Sequence, residues 1–447
     1  MLRIKCNRLV VGSNPTRGVK KIFVGAIRES PLYHFGSKGF DIQSRVGVLM
    51  SQGDNLQDNQ WQGQWLLASE VTFLNHGSFG ACPWPVLQAQ QRLQSRLEKE
   101  PVRFFAREWE PLLDEARNQL ADFVGAARED VVFVANATMG VNAVLRSLRF
   151  QPGDEILTTD HLYNACRNAL EWVAATTNAR IVVAPVPFPL ADTREIVTAV
   201  MDRVSPRTKL AVLDHITSQT ALVFPIASLV RKLAAVGVDT LVDGAQAPGA
   251  VSLNLAELGA AYYTGNCHKW LCAPKGSGFL YVRRDKQEMI RPPVISHGAN
   301  SPRTDKSRFQ LEFDWMGTDD PTPYLCLPVV LEFMGSLVEG GWPGLMAQNR
   351  DLALQARRLL ADGLGVQLPC PEGAIGSMAV VPLPETAAQF PAAALQDALY
   401  DQYQIQVKIN PPWGDDIWLI RVSAQIYNHQ SQYEKLLWAL KQLLHLV

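Results

Sequence analysis

Thr240-Leu241-Val242-Asp243-Gly244-Ala245-Gln246 and, one apolar run later, Thr264-Gly265-Asn266-Cys267-His268-Lys269-Trp270 decide how this chain reads. In the first, Leu241-Val242 is a buried strand ending on a carboxylate and a small-residue turn. In the second, a lysine stands just past a strand, with no charged neighbour except a protonatable histidine. A carboxylate at the carboxyl end of a strand lies where open α/β sheets bind ligands. A lysine among apolar groups is desolvated, its pKa falls, and its neutral amine can form an imine with an aldehyde. Each residue also has an ordinary reading. Asp243 could cap a short helix over Ala245 to Ala250, and Lys269 could lie exposed with its stem on Trp270. Gln246 either donates to a ligand oxygen or completes a capping box.

Outward from these segments, short apolar runs alternate with amphipathic stretches. The runs predict strands at Val131–Ala135, Glu155–Thr159, Ala179–Pro185, Lys209–His215, Thr240–Asp243, Ala260–Thr264 and Gly278–Val282. Between them the spacing predicts helices at Pro111–Val124, Met139–Ser147, Tyr163–Thr177, Thr193–Val204 and Ile226–Val236. Mostly apolar strands alternating with helices imply an α/β fold: a mostly parallel seven-stranded sheet sandwiched by helices. A long amphipathic helix at Leu345–Leu364 leads into a smaller α+β domain. That domain has expected strands at Ser377–Pro382 and Trp418–Ser423, and helices at Ala392–Tyr403 and Tyr433–Leu444. Ser296–Asp320 is polar and turn-rich and reads as a long loop. The expected divisions are an extension over 1–50, a segment leading into the site over 51–95, a large domain over 96–340 and a small one over 341–447.

Bulk composition excludes several classes. At 447 residues, more than one domain is expected. Lys+Arg of 42 against Asp+Glu of 43 gives a formal charge of −1, which points away from nucleic acid and anionic membranes as partners. The longest apolar stretches fall well below the roughly 20 residues of a bilayer span. Seven scattered cysteines without CxxC pairing read as reduced thiols of a cytoplasmic protein. No metal is called for. The first 28 residues carry seven basic residues and no acid. They read as an Arg-rich transit peptide, as a flexible tail, or as an upstream extension with translation beginning at Met50. The third is the expectation, because Val11-Gly12-Ser13-Asn14-Pro15-Thr16-Arg17 matches the translation of a tRNA T-arm.

Further candidates stand after other strands. Asn136-Ala137-Thr138-Met139-Gly140 offers backbone N–H groups and a hydroxyl at a helix start, the chemistry of a phosphate site or of an ordinary cap. Tyr163 could stack on an aromatic ring or belong to the core. Thr217 and Ser218 are hydroxyls at the same sheet edge. His268 is a phosphate contact or a core histidine. Arg421, inside the apolar run Ile420-Arg421-Val422-Ser423, wants a carboxylate, either a structural acid or one from a substrate.

The order of these signals resembles the fold-type I pyridoxal-phosphate (PLP) enzymes of the class V aminotransferase group, in their isopenicillin N epimerase-like branch. The resemblance spans roughly Phe73 to Leu444. It is carried by Phe73-Leu74-Asn75-His76-Gly77-Ser78-Phe79-Gly80, the 136–142 stretch, Asp214-His215-Ile216-Thr217-Ser218, Asp243-Gly244-Ala245-Gln246, His268-Lys269-Trp270, Gly317-Thr318-Asp319-Asp320, and Arg421 with Tyr427-Asn428. It implies that Lys269 binds PLP covalently and carries protons, and that Asp243 partners the pyridinium nitrogen. It implies that Gln246 contacts the phenolate oxygen and Tyr163 stacks on the ring. Ala137, Thr138, Met139, Thr217 or Ser218, and His268 are implied phosphate-end contacts. Gly317 and Thr318 are implied to reach the cofactor of a partner subunit in a homodimer whose active site lies at the subunit interface. Arg421 and Asn75 are implied substrate contacts.

The fate of an amino acid once its α-proton is removed is open between epimerisation, β-elimination of the cysteine or cystine C–S lyase kind, and transamination. A non-catalytic PLP-fold binding protein is the competing class, disfavoured by intact Lys269, Asp243 and Arg421. Cysteine desulfurases carry a thiolate shortly before the arginine strand; Ile405–Asn410 has none. Cys370, beside two prolines, reads as structural, and Cys267 and Cys272 as small hydrophobes.

Overall fold

The computed structural model describes residues 61–414 and 417–446; the expectations for residues 1–50 lie outside these. Seven strands form the central sheet: β1 (Val131–Val134), β2 (Glu155–Thr159), β3 (Arg180–Ala184), β4 (Thr208–Asp214), β5 (Asp239–Gly244), β6 (Tyr262–Asn266) and β7 (Gly278–Val282). Their order is β1-β7-β6-β5-β4-β2-β3, parallel throughout except for β7, which runs against both neighbours. Every residue of β1, β2, β6 and β7 is buried, as a sheet covered on both faces requires.

Alternate residues feed two cores. Leu157, Leu213, Val242, Tyr263 and Phe279 belong to one, and Ile156, Val212, Leu241, Tyr262 and Leu280 to the other. The covering helices include α1 (Trp84–Lys99), α2 (Trp109–Val124), α3 (Ala137–Ser147), α4 (Asn164–Thr177), α5 (Arg194–Met201) and α6 (Ile226–Ala235). The stretch expected to be loop at Ser296–Asp320 contains α7 (Arg308–Asp314). Ser307 caps it by accepting the Gln310 N–H, and Phe309 and Phe313 are buried. Its short amphipathic pattern is masked in sequence by polar flanks. Beyond it lie α8 (Leu327–Ser336) and the long α9 (Gly341–Leu364).

The smaller C-terminal domain holds an antiparallel sheet of β8 (Met378–Pro382), β9 (Lys408–Trp413) and β10 (Ile417–Ser423), in the order β9-β10-β8. Helices α10 (Ala392–Tyr403) and α11 (Gln430–Leu443) complete it.

The segment before α1 ties the two domains together. Thr72–Phe73 pairs in parallel with Ile405–Gln406, and Leu74 bonds to the backbone of both Gln406 and Ser423. This delivers Asn75 to Gly80 across the carboxyl edge of the large sheet. Gly80 has φ +71°, and a Cβ there would lie 2.1 Å from the His268 carbonyl oxygen. Only glycine allows that approach.

Gly153 also has positive φ (+87°) but nothing within 4 Å of a Cβ. Gly153→Ala therefore carries left-handed strain alone, about 1–2 kcal/mol, whereas Gly80→Ala adds a backbone clash. In urea unfolding the Gly80 variant should lose clearly more stability than the Gly153 variant. Equal losses would mean that the Gly80 contact is not tight.

Candidate active site

Asp243 near the end of β5 and Lys269, three residues beyond β6, line one cavity of 180 Å³. The turn carrying Lys269 is held from several sides. The Ser277 carbonyl accepts the N–H groups of Cys267 and His268, and His76 Nε2 donates to the Lys269 carbonyl at 3.0 Å. His76 Nδ1 lies 2.7 Å from the buried Tyr427 hydroxyl. Burial lowers the Lys269 amine to about 8; the Asp243 charge works against the fall, and Arg421 adds to it. At pH 7 roughly a tenth of this amine is therefore unprotonated, far more than for an ordinary lysine, and the neutral amine is the state that attacks carbonyl carbon.

Asp243 is fixed at both oxygens. Oδ1 accepts the Ala245 N–H at 2.9 Å, and Oδ2 accepts the Cys166 thiol at 3.1 Å. No helix forms over 245–250, so the cap reduces to one turn bond. Asp214 pairs with Asp243 across the strand register and lines the same cavity. Burial, then the Asp243 charge, hold its carboxyl well above the usual carboxylate range. Its Oδ2 is buried without a partner. The sheet edge thus presents two adjoining carboxyl groups, with burial and its neighbour disfavouring the charged form of Asp214.

The start of α3 shows which anion donors remain available. Asn136 Oδ1 accepts the Met139 N–H, and Asn266 Oδ1 accepts the Ala137 N–H at 2.8 Å. Both expected backbone donors are thus already engaged, and the Met139 side chain packs against the second core. Thr138 lines the cavity, as does Ser218. Thr217 does not: its hydroxyl bonds Thr220 and accepts the Leu222 N–H within its own turn. His268 lines the cavity with Nδ1 2.7 Å from the Ser277 carbonyl, so Nδ1 is the donor. Burial lowers its ring to about 4. The neutral ring leaves Nε2 as an acceptor, and donating from Nε2 to an anion requires taking up a proton.

Gln246 is clamped rather than completing a capping box. Its Oε1 accepts the Trp270 indole N–H, and its Nε2 donates to the Gly77 carbonyl at 2.7 Å. One amide hydrogen is left for the cavity, which Gln246 lines. Tyr163, 45% exposed, stands at the head of α4 and lines both this cavity and an adjoining outer one of 600 Å³.

Arg421 on β10 reaches that outer cavity. It is buried, donates to the Ser218 carbonyl, to Asn75 Oδ1 at 3.2 Å and to the Ser78 hydroxyl at 2.8 Å, and leaves Nε unpaired. Burial pulls it down to about 10. Among the described residues no carboxylate pairs with it, so the structural acid allowed by sequence is not there. Asn75 meets the site through this contact. Gly317 and Thr318 are not brought to the Lys269 cavity; Thr318 lines a separate cleft with Gln94, Glu98 and Asp320.

Sequence reasoning gave no role to His76, Phe79, Cys166 or Asp214. His76 and Phe79 lie in the string already singled out around Asn75, and Asp214 opens another. Cys166 carried no signal, being 77 positions from Asp243. Cys267 and Cys272 are buried, with burial pushing the Cys267 thiol up to about 12. Cys370 is buried against Arg357 and lines neither cavity.

A family model described as "Aminotransferase class-V" matches residues 82–335. The chain is 35% identical over 390 residues to "Isopenicillin N epimerase" of Amycolatopsis lactamdurans, covering 83% of this chain and 95% of that one. It is 30% identical to "Probable L-cysteine desulfhydrase, chloroplastic" of Arabidopsis thaliana, covering 81% of each. Among solved structures, a cystine C–S lyase in complex with its product cysteine persulfide superposes with a TM-score of 0.69 at 23% identity. That match covers 83% of this chain and 97% of the other, and it shows the shared fold.

If the Lys269 amine is the nucleophile, its capture of an aromatic aldehyde by the protein should rise with pH through a midpoint near 8, because only the neutral amine reacts. Stopped-flow absorbance measures this. A midpoint above 10, the range of an ordinary lysine, would contradict it.

Proposed function

The chain belongs to the class V aminotransferase family, in its isopenicillin N epimerase-like branch, and on that premise we propose that this PLP-dependent enzyme removes the α-proton of an amino acid with Lys269 and returns a proton to the opposite face. The residues fit the cofactor. A lysine with a depressed pKa, a fixed carboxylate and a set of small donors surround one cavity large enough for an aromatic ring. When bound there, PLP supplies an electron sink for the α-carbon.

In this reading Lys269 would hold the cofactor and would move the α-proton of the substrate. Asp243 keeps the ring nitrogen protonated, with Cys166 and Ala245 fixing its two oxygens. Thr138 and Ser218 would hold the phosphate beside the Ala137 backbone, with His268 donating to it only on taking up a proton. Gln246 has an amide hydrogen that would serve the phenolate oxygen, and Tyr163 would cover the ring. Arg421 binds the α-carboxylate, steadied by Asn75. The observation that carries the reading is a buried guanidinium with neutral partners only, opening on the cavity next to the depressed lysine. A buried cation without a counter-charge is costly, and a substrate carboxylate supplies what the fold leaves out.

Neither Gly317 nor Thr318 lines the cavity of its own Lys269, and Thr318 lines a separate cleft, which supports a homodimer in which each copy completes the other's phosphate site. The scattered cysteines support a cytoplasmic setting. Epimerisation is the first reading because the outer cavity of 600 Å³ exceeds what a cysteine side chain fills. C–S lyase chemistry is the second, favoured by the desulfhydrase relatives.

Arg421→Ala should raise KM for the amino-acid substrate at least about thirtyfold, since breaking a buried charge pair costs roughly 2–5 kcal/mol. An unchanged KM with an unchanged melting temperature would mark Arg421 as structural. With an amino-acid panel, optical rotation, pyruvate and sulfide measured together separate the reactions. Loss of rotation without sulfide supports epimerisation, and pyruvate with sulfide from cysteine supports the lyase.

A further inference from the structure

Asp214 ends β4 as a buried acid, and among the described residues it makes no ion pair. Alternation along β4 sends Leu213 into the first core and Val212 into the second, so Asp214 points to the side of Val212. Leu241, in that same second core, puts Asp243 on the same side of the neighbouring strand. Strands in a sheet lie about 4.8 Å apart. The two carboxyl groups therefore stand side by side, and both line the cavity with Lys269.

Asp214 Oδ2 is buried with no hydrogen-bond partner. Folded proteins keep few such atoms, because each one lowers stability. The groups facing it do not supply what it lacks. Asp243 on β5 repels its charge, and Cys166 on α4 is committed to Asp243. Arg167 on α4 is held by the Thr159 carbonyl, and His268 and Lys269 line the cavity without bonding to it. Burial first, and then Asp243, favour its protonated form, against the Tyr163 N–H, its own N–H and Arg167. Protonated at Oδ2, this carboxyl is a donor that the fold leaves unused. PLP brings a phosphate and a phenolate oxygen, and an ionised Asp214 would set a second buried negative charge beside Asp243.

We propose that Asp214 is a contact to the ring edge of the cofactor that must carry its proton: as an acid it donates into the cavity, and as a carboxylate it repels the anionic cofactor. The inference rests on the reading of the Lys269 cavity as the PLP site, and adds to it a residue and a pH dependence.

The test measures binding of pyridoxamine 5′-phosphate to the cofactor-free full chain by calorimetry. This probe keeps the ring and phosphate but has no aldehyde, so an imine with Lys269 does not enter. Asp214→Asn presents a permanently neutral donor of the same shape. The ratio of its affinity to that of the unmodified protein cancels the titrations that the two share. From about pH 5, near ordinary carboxylate values, to about pH 9, the unmodified protein should fall behind Asp214→Asn. The loss follows one departing proton and reaches at most about tenfold per pH unit. Asp214→Ala should bind at least about tenfold more weakly than Asp214→Asn throughout. Cofactor-free Asp214→Asn should melt no lower than the unmodified protein. An affinity ratio that does not change with pH, or changes in the other direction, overturns the proposal. So does an Asp214→Ala variant that binds like Asp214→Asn, or a lowered melting temperature of Asp214→Asn, which would make the acid structural. If the unmodified protein takes up no probe at any pH, the cofactor reading itself fails, and this inference with it.

Discussion

The site depends on keeping an amine and a carboxylate out of water at adjoining strand ends. Desolvation lowers the amine of Lys269 to about 8, and Asp243 prevents a larger fall. A carboxylate closer to that amine would hold it protonated and inert; without one, burial would take it further down. The sheet sets this balance. Asp243 and Thr264 are register partners on β5 and β6, so the aspartate and the turn after β6 rise from neighbouring strands. Burial, then the Asp243 charge, push the Asp214 carboxyl up and so disfavour a second negative charge in the cavity.

Around this pair the chain separates support from reactivity. His76, Ser277 and Gly80 hold the Lys269 turn through its backbone, so its side chain is free to move between partners. Trp270 and Gly77 hold Gln246, and Cys166 holds Asp243. The smaller domain contributes charge. β9 and β10 bring Lys408 and Arg421 to the mouth of the cavity, and the strand pairing of Thr72–Phe73 with Ile405–Gln406 couples that cationic wall to the loop that meets Lys269.

How much of this was readable in sequence varied with physics. Strands buried on both faces announced themselves as unbroken apolar runs, and all seven lie close to their expected places. β6 runs two residues later than expected because Gly265-Asn266 looks like a turn, yet both residues pair with β7. β9 went unread because Asn410-Pro411-Pro412 reads as a breaker. It is an edge strand with an irregular register at that point, where proline is tolerated. Helix α1 buries only Val86 and Ala89, which gives too little periodic signal. At the site, Lys269, Asp243, Gln246 and Arg421 stood out in sequence because their chemistry is odd for their surroundings, and the fold brings them to two adjoining cavities. Thr217 and Met139 were over-read: their donors serve the local turn and the helix cap, and no spacing rule shows which of two adjacent hydroxyls faces outward. Cys166 and Asp214 matter only through tertiary neighbours, which one sequence does not display.

The most direct test of the account is borohydride reduction of the PLP-saturated protein and then peptide mapping. The account predicts a single stoichiometric pyridoxyl adduct on Lys269, absent from Lys269→Ala, which should still bind the cofactor reversibly. An adduct on another lysine, or an equally labelled Lys269→Ala protein, would contradict it.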